Sequence, residues 1–133
     1  MSDINEVTKK YALLIDSDNV SAKYVAIIFD ELSRVGYTTV RKIYGDWSKN
    51  TNGWTKDCLL TYSIQPVQQF AYTTGKNATD SIMIIDAMDL LYKGNLDGFC
   101  LVSSDSDFTS LAVRLREAGK EVIGMREMKT PKA

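Results

Sequence analysis

Apolar runs and amphipathic segments alternate along this chain. The first run, Tyr11-Ala12-Leu13-Leu14-Ile15, breaks directly into Asp16-Ser17-Asp18-Asn19. An unbroken apolar run ending in acid predicts a strand buried on both faces, with a polar site at its C-terminal end. From Tyr24, apolar residues recur at Ile28, Leu32 and Val35, a helical spacing, with Ser21 as cap and Gly36 as stop. Residues 38–44 read as a second strand and 45–53 as a polar loop. Residues 54–64 predict a second helix that Pro66 keeps from extending, and 67–72 a third strand, followed by a loop at 73–77. In the helix predicted over 78–92, Asp80 shares a face with Ile84, Ala87 and Leu91, the apolar inward face; Asp89 lies opposite and Asp86 between the two. Residues 98–103 repeat the opening design, an apolar strand running into Ser104-Asp105-Ser106-Asp107. A fourth helix starts at Ser106 or Asp107, carries Leu111, Leu115 and Ala118, and stops at Gly119; residues 121–125 form the last strand.

Strands alternating with helices in this way predict an α/β doubly wound parallel sheet, helices on both faces, with right-handed crossovers. For five strands the natural order is 3-2-1-4-5, and ligands bind where that order reverses, at the C-terminal strand ends. Strands 1 and 4 are then neighbours. Asp16 and Asp18 come beside Asp105 and Asp107, and Asp80 opens at the same end. The domain is expected over residues 11–125, with 1–10 and 126–133 as flexible ends.

Composition narrows the chemistry. The 133 residues carry a net charge of −1, which excludes a strongly basic nucleic-acid coat. Histidine is absent, removing the commonest general base and transition-metal ligand. The two cysteines, Cys58 and Cys100, sit singly in apolar segments and read as buried thiols. With no apolar run near membrane-spanning length, no apparent export signal and free thiols, the expected setting is the cytoplasm.

Carboxylates crowded at one sheet end raise each other's pKa and repel. A divalent cation resolves this, and an all-oxygen ligand set suits Mg2+ or Mn2+. Metal-dependent phosphodiester hydrolysis is the reaction class that follows. Individually the acids have plainer readings. Asp18 and Asp107 serve equally well as helix caps, Asp105 as a turn residue, and Asp80 as an acid favoured by a helix dipole. Asp86, intermediate in phase, reads more readily as structural. Lys76 and Asn77 are either loop residues or phosphate contacts. Asn19 either braces the Asp16 loop or meets substrate. Trp47 either anchors its loop or stacks on an unpaired base.

Four segments together resemble the NYN domain, in its LabA-like (DUF88) branch of the PIN-like nuclease superfamily: Leu14-Ile15-Asp16-Ser17-Asp18-Asn19-Val20, Tyr44-Gly45-Asp46-Trp47, Lys76-Asn77-Ala78-Thr79-Asp80 with Asp86, and Val102-Ser103-Ser104-Asp105-Ser106-Asp107-Phe108. The resemblance implies a Rossmann-like PIN fold and a magnesium- or manganese-dependent endoribonuclease acting on RNA. Its acidic positions carry over onto Asp16, Asp80, Asp105 and Asp107, as catalytic metal ligands, and its asparagine onto Asn19. Asp18 and Asp86 match positions of less settled role. Substrate contacts are assigned to Asn19, Lys76, Asn77, Ser103 and Trp47.

Two other readings compete. Asp16-Ser17-Asp18-Asn19-Val20 also fits the opening of a haloacid-dehalogenase-like phosphatase, with Asp16 as nucleophile and Ser103 as the strand-end hydroxyl; the lysine that chemistry needs is not obvious. A catalytically inactive RNA-binding or protein-interaction module is the third, favoured mildly by the acidic balance. Edge strands 3 and 5 leave room for a homodimer or a recruiting protein partner.

Overall fold

The computed structural model describes residues 8–49, 52–69, 82–104 and 108–126. Its five strands are β1 (Lys10–Asp16), β2 (Tyr37–Gly45), β3 (Gln65–Gln68), β4 (Gly98–Val102) and β5 (Glu121–Met125). All pair in parallel, in the order β3-β2-β1-β4-β5. The expected α/β fold and strand order hold, and the arrangement is consistent with a PIN-like domain.

Strand β1 lies at the centre. From Tyr11 to Asp16 every residue is buried, as a strand covered on both faces must be. Its side chains alternate between two cores. Ala12 and Leu14 pack with Tyr44, Phe99, Leu101 and the helices α3 (Ile82–Lys93) and α4 (Thr109–Glu117). Leu13 and Ile15 pack with Ile43, Cys100, Val102 and the helices α1 (Val25–Ser33) and α2 (Lys56–Thr61). At the start of β4, a Cβ on Gly98 would lie 2.6 Å from the Tyr11 ring and 2.8 Å from the Glu121 carbonyl oxygen, so only glycine lets three strands meet there. Gly119, at φ +87°, turns the chain out of α4.

Several boundaries differ from expectation, each for a physical reason. Ser21 caps a 3-10 turn, Ala22–Tyr24, ahead of α1 rather than α1 itself. The second helix is only Lys56–Thr61, capped by the Thr55 hydroxyl. Trp54 and Ile64, expected inside it, flank it and fill the core instead. The third strand starts at Gln65 rather than Val67, so Pro66 lies within a strand. This is tolerated because β3 is the sheet edge. On α3 the buried stripe is Met83, Ala87 and Leu90, with Ile84 and Leu91 only half-buried. The inward face is therefore turned slightly from the expected one. No helix among the described residues is long and apolar enough to cross a membrane.

Candidate active site

Asp16 ends β1 directly opposite Tyr44 of β2, and the neighbouring pair Ile15↔Val102 brings the end of β4 alongside. It is 5% exposed. Side chains of the described residues converge on its Oδ2: Asn19 Nδ2 donates at 2.7 Å and Ser103 Oγ at 2.9 Å. The Asp18 amide donates to Oδ1 at 3.2 Å. Donors from three directions fix the carboxylate in one orientation. Asn19 thus braces the loop after β1. Ser103 joins the two acid-ended strands that the sequence places side by side.

The loop after β1 is tied to its neighbours through its backbone. The Ser17 amide donates to the Tyr44 carbonyl at 2.9 Å. Asn52 Nδ2 donates to the carbonyls of Ser17 (2.8 Å) and Asp18 (3.2 Å), and Trp54 Nε1 to that of Val20 (2.8 Å). Ser17 is completely buried, and its hydroxyl finds no hydrogen-bond partner among the described residues.

A further buried carboxylate, Asp46, was not singled out by its chemistry in the sequence. It stands one residue beyond β2 and is 7% exposed. Its Oδ1 accepts from Ser48 Oγ (2.6 Å), Gln68 Nε2 (2.9 Å) and the Ser48 amide (3.1 Å). These bonds, led by the Ser48 hydroxyl, hold its pKa below the usual carboxylate value. The available signal was positional: Tyr44 pairs with Asp16, so an acid two residues past Tyr44 lies at the same sheet end. Asp18, exposed on the loop, is pushed the other way. Partial burial raises its pKa first, then the charges of Asp16 and Asp46, against a smaller opposing effect of Lys49.

Trp47 is placed as an anchor. Its indole Nε1 donates to the Val67 carbonyl at 3.0 Å, its amide to Gln68 Oε1 at 3.0 Å, and its ring packs on the α1/α2 side of the core. Asp86 faces β2: Tyr44 Oη donates to its Oδ2 at 2.9 Å, and Lys42 Nζ lies 3.4 Å from the same atom. Burial, then the bond to Asp86, pushes the Tyr44 phenol far above its ordinary value.

Asp80, Asp105, Asp107, Lys76 and Asn77 lie outside the described residues. Among the described residues, no three Asp, Glu or Cys side chains gather closely enough to hold a metal ion. The part of the donor set that is described suits a hard cation. Asp16 is an oriented carboxylate in a chain without histidine, and its side-chain partners include an amide and a hydroxyl.

Fold and site together define an α/β domain with acids at the strand-order reversal, and comparison with known proteins gives the family. The chain matches the NYN domain over residues 10–133 and belongs to that family. NYN domains are part of the PIN-like nuclease superfamily; they are generally RNA-binding nucleases, and the superfamily generally uses divalent metals. Among curated proteins, "Uncharacterized protein MJ0482" of Methanocaldococcus jannaschii is 30% identical over 118 residues, 86% of this chain. The chain spans 46% of that relative's length. Among solved structures, the protein of unknown function VPA0982 from Vibrio parahaemolyticus aligns with a TM-score of 0.62 at 18% identity, covering 92% of this chain and 83% of that one. That likeness is one of fold.

Proposed function

We propose that this domain is a metal-dependent endoribonuclease of the LabA-like (DUF88) branch, hydrolysing phosphodiester bonds in single-stranded or flexible RNA in the cytoplasm. The observation that carries the reading is the buried Asp16 carboxylate, oriented by Asn19 and Ser103 where β1 and β4 end together. Asp16, Asp80 and Asp105 would hold Mg2+ or Mn2+, with Asp107 assisting. The ion supplies a nucleophile at neutral pH and charge stabilisation at phosphorus. Asn19 and Ser103 keep Asp16 in place, and Lys76 and Asn77 reach the phosphate of the substrate. The reducing cytoplasm suits the free thiols Cys58 and Cys100.

The test is cleavage of end-labelled single-stranded RNA by the purified protein with manganese, with chelator, and with Asp16→Asn. The expected result is chelator-sensitive cleavage that falls at least about a hundredfold in the variant. Equal cleavage in all three arms would mean a contaminant. No cleavage in any arm would make the domain a binding module.

A further inference from the structure

The end of the sheet opposite Asp16 is not flat. A cleft of about 360 Å3 opens there, within the ~300–1,000 Å3 typical of small-ligand sites. It lies where the strands begin. Lys10 opens β1, Thr39 and Val40 stand early in β2, Leu90 and Lys93 end α3, and Leu96 leads into β4. Six residue-to-residue steps along β1 lead from Lys10 to Asp16, about 20 Å of strand, so the cleft is remote from the candidate active site.

Three features give the cleft its chemistry. Its apolar floor is Val40, Leu90 and Leu96, continuous with the α3/α4 core. Its charge is cationic: Lys10 and Lys93 are exposed, and neither has an ion-pair partner among the described residues. Other lysines near this end are engaged, Lys9 with Glu121 and Lys120 with the Leu96 carbonyl. Among the described residues no acidic side chain lines the cleft, so they offer a metal cation no ligand set there. The third feature is an irregularity in β2. The pairing with β1 steps from Tyr11↔Thr38 to Ala12↔Val40, and pairing with β3 begins only at Lys42. Thr39 therefore faces no register partner on either side. Bulges of this kind occur disproportionately beside binding sites.

We propose that this cleft binds a small amphipathic phosphate of nucleoside-monophosphate size, the phosphate between Lys10 and Lys93 and the flat apolar part on Val40, Leu90 and Leu96. Two local features oppose an anion and limit the affinity. Asp97 sits nearby, its Oδ2 accepting from the Lys10 amide at 2.8 Å, and the C-terminal carbonyls of α3 point to this side. Binding is therefore weak and salt-sensitive. The phosphate can belong to a free nucleotide or to the end of an RNA strand, and the two sources differ in what else they touch.

The test is amide-resolved NMR titration of the whole chain with inorganic phosphate, AMP, adenosine and a 5′-phosphorylated tetraribonucleotide, without divalent metal. AMP is expected to shift the amides of Thr39, Asn95 and Leu96 with a dissociation constant of about a millimolar, ahead of both phosphate and adenosine. The double variant K10Q/K93Q, which removes no described ion pair, should weaken AMP about tenfold and leave the rest of the spectrum unchanged. A tetranucleotide that binds more tightly than AMP at the same amides assigns the site to RNA ends; the reverse assigns it to free nucleotides. Silence of these amides at about 20 mM AMP, adenosine binding as well as AMP, or unchanged AMP binding by K10Q/K93Q would overturn the proposal. None of these outcomes depends on nuclease activity.

Discussion

The Ser103 hydroxyl donates to Asp16 Oδ2 at 2.9 Å, joining residues 87 positions apart in the chain. It is a side-chain bond between the ends of β4 and β1, at the point where the strand order reverses. Removing it takes one donor from the Asp16 carboxylate without touching the core. Ser103→Ala should cost about 1 kcal/mol in urea unfolding. In RNA cleavage it should raise the manganese concentration needed for half-maximal rate more than it lowers the rate at saturation, because the carboxylate loses orientation rather than charge. Cys at this position, a poorer donor, should behave like Ala, and Thr should restore the wild-type value.

Asp18 and Asp46 make opposite contributions to pH dependence. Asp18 has its pKa raised above the ordinary 3.8. The folded state therefore prefers its protonated form, and ionised Asp18 weakens folding. This penalty is absent below the ordinary value, grows as pH rises through it and is complete above the raised value. Asp18→Asn should raise the melting temperature at neutral pH, with the gain fading as the pH falls towards 3.8. Asp46 has its pKa lowered from 3.8, so its stabilisation is present above that value and is lost as pH falls below it. Asp46→Asn should lower the melting temperature at neutral pH. Melting curves of both variants from acid to neutral pH check the two signs, and matching signs would refute the assignment.

Tyr44 is fully buried, and its hydroxyl reaches Asp86 across the gap between β2 and α3. Tyr44→Phe keeps the ring and removes this bond at a cost of about 1–2 kcal/mol. Asp86→Ala should cost more, about 2–3 kcal/mol, because it leaves both the Tyr44 hydroxyl and the half-buried Lys42 ammonium without this partner. Chemical denaturation of the two variants measures the order. A Tyr44→Phe variant less stable than Asp86→Ala would show that Asp86 does not act through this contact.

The large-scale fold was legible because apolar runs of strand length declare themselves. The central strand read as 11–15 is Lys10–Asp16, and the last strand keeps its expected bounds, Glu121–Met125. The second helix was misread because Trp54 and Ile64 extend its apolar pattern, although they pack from the flanking loops. Pro66 reads in the sequence as the stop of the second helix, and whether a proline can also join a strand depends on edge or interior position, which local sequence does not carry. At the candidate site the strand-end position of Asp16 was legible, and so was bracing by Asn19 as one of its two readings; the part played by Ser103 was not. Nothing local to Ser103 says that it bonds Asp16. Nor does Asp46 differ in sequence from any turn-forming acid until β2 is set beside β1.

The central claim is that Asp16 belongs to a single metal centre shared with Asp80 and Asp105. A crystal of the protein grown with manganese and measured near the manganese absorption edge tests it most directly. The account predicts an anomalous peak within about 2.2 Å of an Asp16 carboxylate oxygen, with oxygens of Asp80 and Asp105 in the same coordination sphere, and no such peak in Asp16→Asn. Manganese bound elsewhere, or the three carboxylates separated by more than one coordination sphere in a metal-soaked crystal, would contradict it.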